Sequence, residues 1–527
     1  MTEPLNRRDL LLRTGLGLGA TPLVALLASC SGSTDEATPT AAPIKPPAIA
    51  NSTKDIVGTT IGSSPAATLA DPTTVAPSTT EPFDSTRKWW LQGNFAPVSN
   101  EVQSTSLQVT GALPPELNGL YVRNGSNPRN SDSPHWFFGD GMTHGIRLNN
   151  AKAEWYANRY VQTPMYTDKL GFGQGPPGGA ANQSNVSCIW HSGRLLTSGE
   201  VGFPFEIDPS NLATKGVYDF GGKLTGSFTA HPKVDPVTGR LHFFGYGFTE
   251  PFLTYHIADA DGTLVHSEDV ALPRSVMMHD FNITETDAIF WDLPVTFDLA
   301  AAVRYIENPR SGEFPYSWSP ESGARVGIMP LGGGADKIQW FDLDPCYVFH
   351  GVNAYRKGDE VIMDVSRLDS MFDKGQTLGG KLSLRRWTAN TVTGTFVDDI
   401  IDADDPGDLP GRDPRKVGRE HRYGYLAATR QNPNTAEFGG LIKHDYSTNT
   451  RERWEPGPTS HTGEWLFVPY GPEEDAGYLL TYAHDEATNT SELLVVDATA
   501  VSAGPIARVA LPQRVPYGFH AAWVPNL

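Results

Sequence analysis

The fourteen histidines are the first residues in this 527-residue sequence whose type and setting could support chemistry. No His-x-His or His-x-x-x-His spacing occurs, so the short patterns typical of zinc sites are missing. Four of the histidines share a setting, because each ends or follows an apolar or aromatic run just before a turn or a new strand. These four are His231, His279, His350 and His520. An imidazole can bind a transition metal, but a single histidine in a strand is more often a structural hydrogen-bonding residue.

The four histidines are far apart in the chain, since successive members are separated by 48, 71 and 170 positions. The segment "SVMMHDFNITETDAIFWDLPV" (residues 275–295) predicts two β-strands around a polar turn, and His279 ends its first apolar run. The inner strands of a β-propeller line one axial channel, so such a fold could bring distant residues together. The residues by themselves leave the structural and the metal-binding interpretations open.

Short apolar-alternating runs fill the sequence beyond residue 88 and predict an all-β fold. Glycine, asparagine, aspartate and proline separate these runs, and the chain contains 53 glycines and 42 prolines. Only "LAAAVRYIE" (residues 299–307) has a clear helical period, and no βαβ alternation or glycine-rich phosphate loop is present. Many short strands favour a propeller over a sandwich, although no clean repeat supports that choice.

The first 87 residues are expected to lie outside the fold. Arg7 and Arg8 precede a short, weakly hydrophobic segment that ends in Leu27-Ala28-Ser29-Cys30, which resembles a bacterial lipobox. We therefore predict a twin-arginine-type lipoprotein signal peptide over residues 1–30, with Cys30 as the lipidated residue. A Ser/Thr/Pro/Ala-rich, disordered tether would follow over residues 31–87, and the folded domain would span 88–527. The protein would then be exported and held at the outer face of the bacterial cytoplasmic membrane by its lipid alone; a plain Sec signal with a chance cysteine is the alternative.

Charge and cysteine content exclude two other classes of protein. The formal net charge of −19 argues against a nucleic-acid partner, because phosphate binding requires a basic surface. If Cys30 is lipidated, only Cys188 and Cys346 remain, which is too few for a disulfide scaffold.

Longer motifs carry a specific resemblance. The segments "NGLYVRNGSNPRN" (118–130), "HWFFGDGMTHGIRL" (135–148) and "GEWLFVP" (463–469), together with the four histidine segments, resemble the carotenoid cleavage oxygenases, a family that includes lignostilbene dioxygenases. The resemblance extends from about residue 88 to residue 527. It implies a seven-bladed β-propeller with an axial metal site and a cap of loops and short helices.

The resemblance also implies the residues of the site. His231, His279, His350 and His520 would bind iron(II), Fe(2+), by motif position. Three carboxylates of the family accept hydrogen bonds from such imidazoles, and Glu200 and Glu464 match two of them. Asp408 stands where the family often has the third glutamate; its shorter side chain requires a backbone shift or a bridging water, and Glu420 is a weaker alternative. His135 and His144 are expected to be structural, and Trp136, Phe137, Phe519 and Trp523 to be core or channel wall.

The implied function is an iron-dependent dioxygenase that cleaves a C=C bond of a carotenoid or apocarotenoid with O2 and yields carbonyl products. A small, apolar, conjugated molecule and O2 would be its partners. A stilbene-type phenolic substrate is the alternative within the family, but its stilbene cleavers tend to carry a lysine before the residue matching Glu200, where this chain has Gly199. A non-catalytic propeller lipoprotein that binds a surface partner is the alternative of another class. A calcium-dependent phosphatase or lactonase propeller lacks support, because no comparable Asp/Asn cluster is found.

Overall fold

A computed structural model describes residues 83–167, 170, 182–307, 314–373, 379–430 and 437–527, and the strands among them form a seven-bladed β-propeller. The blades are numbered in chain order. Blade 1 contains β1 (Gln103–Ser104), β3 (Gly119–Ser126), β4 (Gly141–Asn149), β5 (Lys152–Tyr160) and β33 (Ala521–Pro525). Blade 2 contains β6 (Ser187–His191), β7 (Arg194–Ser198), β8 (Phe205–Ile207) and β9 (Thr214–Val217). Blade 3 contains β10 (Lys233–Val234), β11 (Leu241–Tyr246), β12 (Phe252–Ala258) and β13 (Leu264–Ala271).

The remaining four blades follow the same antiparallel plan. Blade 4 contains β14 (Asn282–Ile283), β15 (Asp287–Asp292), β18 (Ala324–Pro330) and β19 (Gln339–Leu343). Blade 5 contains β20 (Tyr347–Lys357), β21 (Glu360–Leu368), β22 (Leu382–Asn390) and β23 (Phe396–Asp402). Blade 6 contains β24 (Gly407–Gly411), β25 (Tyr423–Arg430), β26 (Glu437–Asp445) and β27 (Thr450–Trp454). Blade 7 contains β2 (Val109–Gly111), β28 (Ser460–His461), β29 (Leu466–Pro469), β30 (Gly477–Asp485), β31 (Thr490–Asp497) and β32 (Pro505–Ala510).

Strands from both ends of the described chain close the ring. The late strand β33 pairs antiparallel with β3 of blade 1, so that Tyr121 lies opposite Trp523. The early strand β2 pairs with β32 at the outer edge of blade 7. Because each closure is a row of backbone hydrogen bonds between distant parts of the sequence, the propeller is fastened at two points.

Burial explains how these sequences sort into inner and outer strands. Inner and middle strands such as β11 are buried along their whole length, whereas the outer strand β9 alternates between half-buried and exposed residues. Continuous apolar runs therefore face neighbours on both sides, and alternating runs face water on one side.

Helical structure is sparse in the described residues. Two α-helices are present, α1 (Pro164–Thr167) and α2 (Leu299–Glu307), and α2 has the bounds that the helical period predicts. A small hairpin of β16 (Val295–Phe297) and β17 (Tyr316–Trp318) lies next to α2 in sequence. Single 3₁₀ turns complete the set, at Trp89–Leu91, Gly93–Phe95, Trp136–Phe138, Pro320–Ser322, Ala335–Lys337, Pro414–Lys416 and Val501–Ala503.

The hairpin predicted for residues 275–295 is present, but its first strand does not include His279. Only Val276 makes a bridge, to Thr296, and the regular hairpin of this region begins after the histidine, where β14 pairs with β15. Residues 277–281 therefore cross the inner end of blade 4 outside any strand.

The predictions for the first part of the chain fall mostly outside the described residues. The signal peptide (1–30), its Cys30 and the tether up to residue 82 belong to this group and stay predictions. Within the part of the chain that the structure describes, no helix has the length and apolar character needed to cross a bilayer.

Candidate metal centre

Four blades deliver the four histidines to one place on the propeller axis. His231 precedes β10, His279 precedes β14, His350 lies within β20 and His520 precedes β33. One ring nitrogen from each lies within 4.8 Å of those from the others. The structure thus brings together all four histidines that the motifs single out.

Local backbone irregularity aims His350 at this point. The register of β20 against β21 shifts on both sides of Gly351, directly after the histidine. Such bulges bend a strand and redirect a side chain. A Cβ at position 351 would lie only 2.7 Å from a ring carbon of Trp291, so the close approach of β20 to blade 4 requires glycine there.

Carboxylates accept hydrogen bonds from the far nitrogens of three imidazoles. His279 Nδ1 contacts Glu200, His350 Nδ1 lies 2.9 Å from Asp408 Oδ1, and His520 Nδ1 lies 3.0 Å from Glu464 Oε1. These contacts fix the tautomer, because a proton on Nδ1 leaves a lone pair on Nε2. In the described part of the chain no carboxylate hydrogen bonds to the His231 ring, whose backbone N–H instead donates to Thr229 Oγ1 at 3.1 Å.

Every blade contributes one of these seven residues. The histidines come from blades 3, 4, 5 and 1, Glu200 follows β7 of blade 2, Asp408 lies in β24 of blade 6, and Glu464 precedes β29 of blade 7. The site is therefore a property of the whole ring.

Asp408 reaches His350 directly, although its side chain is one methylene shorter than the expected glutamate. The register of β24 against β25 shifts between Asp408 and Gly411, and Leu409 has a left-handed φ of 52°. The backbone therefore takes up the difference in length. The alternative residue, Glu420, is not at the site, because its side chain is 65% exposed and lies 3.3 Å from Lys357 Nζ.

Burial favours the neutral form of two of the imidazoles, His231 and His350. It lowers the pKa of His231 well below its usual value, and the neighbouring histidines lower it further. Burial also lowers the pKa of His350, against the opposing effect of Asp408. A neutral imidazole is the form that binds a metal.

The inward nitrogens fit a bound cation. His350 Nε2 is buried without a hydrogen-bond partner among the residues that the structure describes, and His231 Nε2 lies only 3.0 Å from His279 Nε2. A buried lone pair without a donor is costly, and a metal ion shared by these nitrogens removes that cost. The residues present therefore suit a divalent transition metal.

Polar and aromatic residues approach the site in two groups. The polar group lines a cavity of about 230 Å³ whose wall includes Lys233, Asp280 and Arg412 as well as three of the histidines. The aromatic group, called here the aromatic side of the site, includes Phe349, whose ring lies 5.0 Å from that of His279, and Phe137, which lies 6.5 Å from Phe349.

The aromatic residues predicted as core or channel wall divide between two places. Phe519 packs at 4.7 Å against Trp136 and at 5.9 Å against Phe137, which places these three rings in the aromatic cluster beside the histidines. Trp523 instead lies in β33 of blade 1, opposite Tyr121 of β3. His135 stands among aromatic rings of the same side, 5.1 Å from Phe314.

Three further residues beside the site are given no role by the sequence analysis above. Lys233 and Arg412 line the axial cavity, and Asp280 makes contacts well beyond its neighbours. The sequence signal for two of them is proximity to a candidate histidine, because Asp280 directly follows His279 and Lys233 follows His231 by two residues. His144, in contrast, hydrogen bonds to the Tyr156 hydroxyl at 2.8 Å within blade 1 and takes no part in the cluster.

Comparison with known proteins agrees with this geometry. A family model described as retinal pigment epithelial membrane protein matches residues 95–525. A carotenoid cleavage oxygenase of Mycobacterium tuberculosis is 36% identical over 491 residues, covering 83% of this chain and 97% of that protein. The chain belongs to the carotenoid cleavage oxygenase family.

Solved structures of this carotenoid cleavage oxygenase family have the same fold. Pseudomonas brassicacearum lignostilbene dioxygenase superposes with a TM-score of 0.74 at 27% identity, over 84% of this chain and 100% of that one. A cobalt-substituted structure of Synechocystis ACO superposes with a TM-score of 0.73 at 26% identity, over 81% of this chain and 97% of that one. The family is iron-dependent, and the Synechocystis ACO structure is a cobalt-substituted form.

Proposed function

We propose that this protein is an iron(II)-dependent dioxygenase that cleaves a C=C bond of a carotenoid or apocarotenoid with O2 to give two carbonyl products. The observation that carries the proposal is the convergence of four histidine nitrogens within 4.8 Å, three of them from imidazoles oriented by carboxylates. Membership of a family with carotenoid-cleaving relatives adds independent support.

The four imidazoles would hold the iron, and the chain's own residues would set its surroundings. Iron(II), when bound, supplies the redox chemistry that makes O2 reactive. Four neutral imidazoles would not cancel the double positive charge of the metal. Glu200, Asp408 and Glu464 would partly offset that charge through their hydrogen bonds to the far nitrogens of three of the rings. No side chain is assigned as a general acid or base.

The aromatic side of the site favours an apolar substrate. Phe349, Phe137 and Phe519 offer ring faces and edges to a polyene, which has little other than dispersion and the hydrophobic effect with which to bind. Water would be excluded from this side for the same reason. Gly199, directly before Glu200, provides no ammonium group for a phenol oxygen.

A stilbene-type phenolic substrate is the second candidate, because a lignostilbene dioxygenase is among the similar solved structures. The two candidates separate in one assay. Purified protein is incubated with an apocarotenal or a hydroxystilbene, and the aldehyde products are identified by mass spectrometry. We expect cleavage of the apocarotenal and little of the stilbene; the reverse result would assign the phenolic substrate.

Metal analysis tests the site itself and discriminates between the proposed enzyme and the non-catalytic propeller. We expect about one iron per chain and its loss in His279→Ala and His350→Ala, because each removes an inward nitrogen. His256→Ala is the matched control, since His256 is also buried but hydrogen bonds to Ser267 in blade 3, away from the axis. Unchanged iron in both site variants would remove the ligand assignment.

We also propose export by the twin-arginine route, with anchoring through Cys30, on the basis of the sequence of residues 1–30. That route carries folded proteins, which would allow the metal to bind before export. Replacing Arg7 and Arg8 with lysine should retain the protein in the cytoplasm, and Cys30→Ala should release it from the membrane. Normal membrane attachment of both variants would contradict the proposal.

A further inference from the structure

Asp280 is buried beside the histidine cluster but touches none of the four imidazoles in the hydrogen bonds that the structure describes. Only 2% of its side chain is exposed. Its Oδ1 accepts from Lys233 Nζ at 2.6 Å and from the Phe281 backbone N–H at 2.7 Å. Its Oδ2 accepts from the Gly351 backbone N–H at 3.0 Å. Both oxygens are therefore committed to other parts of the propeller.

The partners of Asp280 stand next to the histidines in sequence. Lys233 follows His231 by two residues, Asp280 directly follows His279, and Gly351 directly follows His350. One carboxylate thus connects segments of blades 3, 4 and 5. We infer that Asp280 and Lys233 are positioning residues, which hold three of the four histidine-bearing segments at fixed separations. This inference rests on the proposed metal binding.

The energetics of a buried ion pair support a geometric role over a stabilising one. Side chains of Lys233 and Asp280 are 6% and 2% exposed, so both charges have lost most of their hydration. Desolvation of such a pair roughly cancels its attraction, and apolar residues of similar volume often stabilise a fold equally well. Apolar residues cannot accept the Gly351 N–H, however. That N–H lies where the register of β20 shifts on both sides, so the normal ladder does not fix it.

The fourth histidine has a separate support. Glu464 accepts from His520 Nδ1 at 3.0 Å and also from the Ala521 backbone N–H at 2.6 Å. The Glu464 side chain therefore both orients the His520 ring and holds the backbone of the next residue. For His231, whose ring has no carboxylate partner in the described residues, the connection through Lys233 to Asp280 is the corresponding backbone support.

Cobalt(II) binding to the full chain tests the inference without use of enzyme activity. Lys233→Met and Asp280→Asn remove the pair with little change of volume. The matched control is Lys443→Met, because Lys443 is 8% exposed and lies 2.7 Å from Asp475 in an ion pair that joins blades 6 and 7 and contacts no histidine-bearing segment of the site. We expect the cobalt Kd to rise about 10- to 100-fold in both site variants, the usual effect of losing a residue that supports a metal ligand. The visible absorption bands of bound cobalt should also shift, and the control should match the wild type in both measurements.

A double variant separates positioning from folding. Lys233→Met/Asp280→Leu replaces two buried charges with apolar groups, so its melting temperature should recover relative to the single variants. Its cobalt affinity should stay low, because leucine at position 280 supplies no acceptor for the Gly351 N–H. If Asp280→Asn fails to fold, Lys233→Met and the double variant decide the question.

Each outcome points to one conclusion. If Lys233→Met and the double variant bind cobalt with a Kd within twofold of the wild type and with the same absorption bands, the pair is structural only and the inference is wrong. If the wild-type protein takes up no cobalt at the histidines, as judged against His279→Ala, the proposed metal site fails first and the inference fails with it.

Discussion

Removal of the Asp408 carboxylate should weaken metal binding far more visibly than it weakens the fold. In Asp408→Ala the His350 Nδ1–H loses its acceptor at 2.9 Å inside a buried site. An unpaired buried donor costs about 1–3 kcal/mol. Loss of such an oriented partner lowers metal affinity about 10- to 100-fold, or about 1.4–2.7 kcal/mol. The two effects are similar in energy but differ greatly in how they are observed.

Melting is insensitive to this change because the domain is large. With an unfolding entropy of about 2.1 cal/mol/K per residue over roughly 440 residues, 1 kcal/mol shifts the Tm by only about 1 °C. Metal-free Asp408→Ala should therefore melt within about 3 °C of the metal-free wild type. Its iron(II) Kd, measured by equilibrium dialysis against a competing chelator, should rise at least tenfold.

Two further variants sharpen the test of Asp408. Asp408→Glu moves the carboxylate toward a ring nitrogen that already lies at hydrogen-bond distance, so we expect an affinity between those of the wild type and Asp408→Ala. Glu420→Ala is the control, since that side chain is 65% exposed and should change neither quantity. Equal iron affinity in Asp408→Ala and the wild type would refute the assignment of Asp408 as an orienting carboxylate.

Two predictions concern the fold around the site. Gly351→Ala places a Cβ 2.7 Å from the Trp291 ring and should destabilise the protein by about 1–3 kcal/mol in urea unfolding, whereas Gly226→Ala meets no atom within 4 Å and should be neutral; similar midpoints for both would contradict the close packing. Burial lowers the pKa of His242 and His256 to about 4, so both stay neutral in the folded protein at pH 5 while the unfolded chain protonates them. Each histidine should therefore lower the free energy of unfolding by about 2 kcal/mol at pH 5 relative to pH 8. This loss of stability should develop as the pH drops from about 6.5 to 4. Equal free energies of unfolding at pH 5 and pH 8 would exclude the effect.

Local patterns in the sequence were sufficient for the elements but not for their junctions. The apolar period predicts α2 with its observed bounds, Leu299–Glu307, because an amphipathic helix is encoded within nine residues. The same reasoning fails at residues 275–281, where the apolar run looks like a strand. This run is buried although it forms only a single bridge, and burial selects the same apolar residue types inside and outside a strand.

The site was predictable by motif and not by spacing. The interval of 170 positions between His350 and His520 contains three strands of blade 5, all of blade 6 and every strand of blade 7 except β2, so it reflects the size of these blades and carries no chemical signature. The shift that lets Asp408 reach His350 depends on a left-handed Leu409, a conformation that leucine gives no reason to expect. The contact of Asp280 with Gly351 spans 71 positions and follows from a bulge that has no local signal.

The ladder between β33 and β3 has a consequence for how the protein is made. His231, His279 and His350 leave the ribosome well before the segment that carries His520, and this segment leads directly into β33. A nascent chain therefore exposes three imidazoles while its ring is still open, but it gains the fourth together with the strand that shuts the ring. Completion of the tertiary structure and completion of the metal-binding set are thus a single event, and a partly folded chain offers at most an unfinished set of imidazoles.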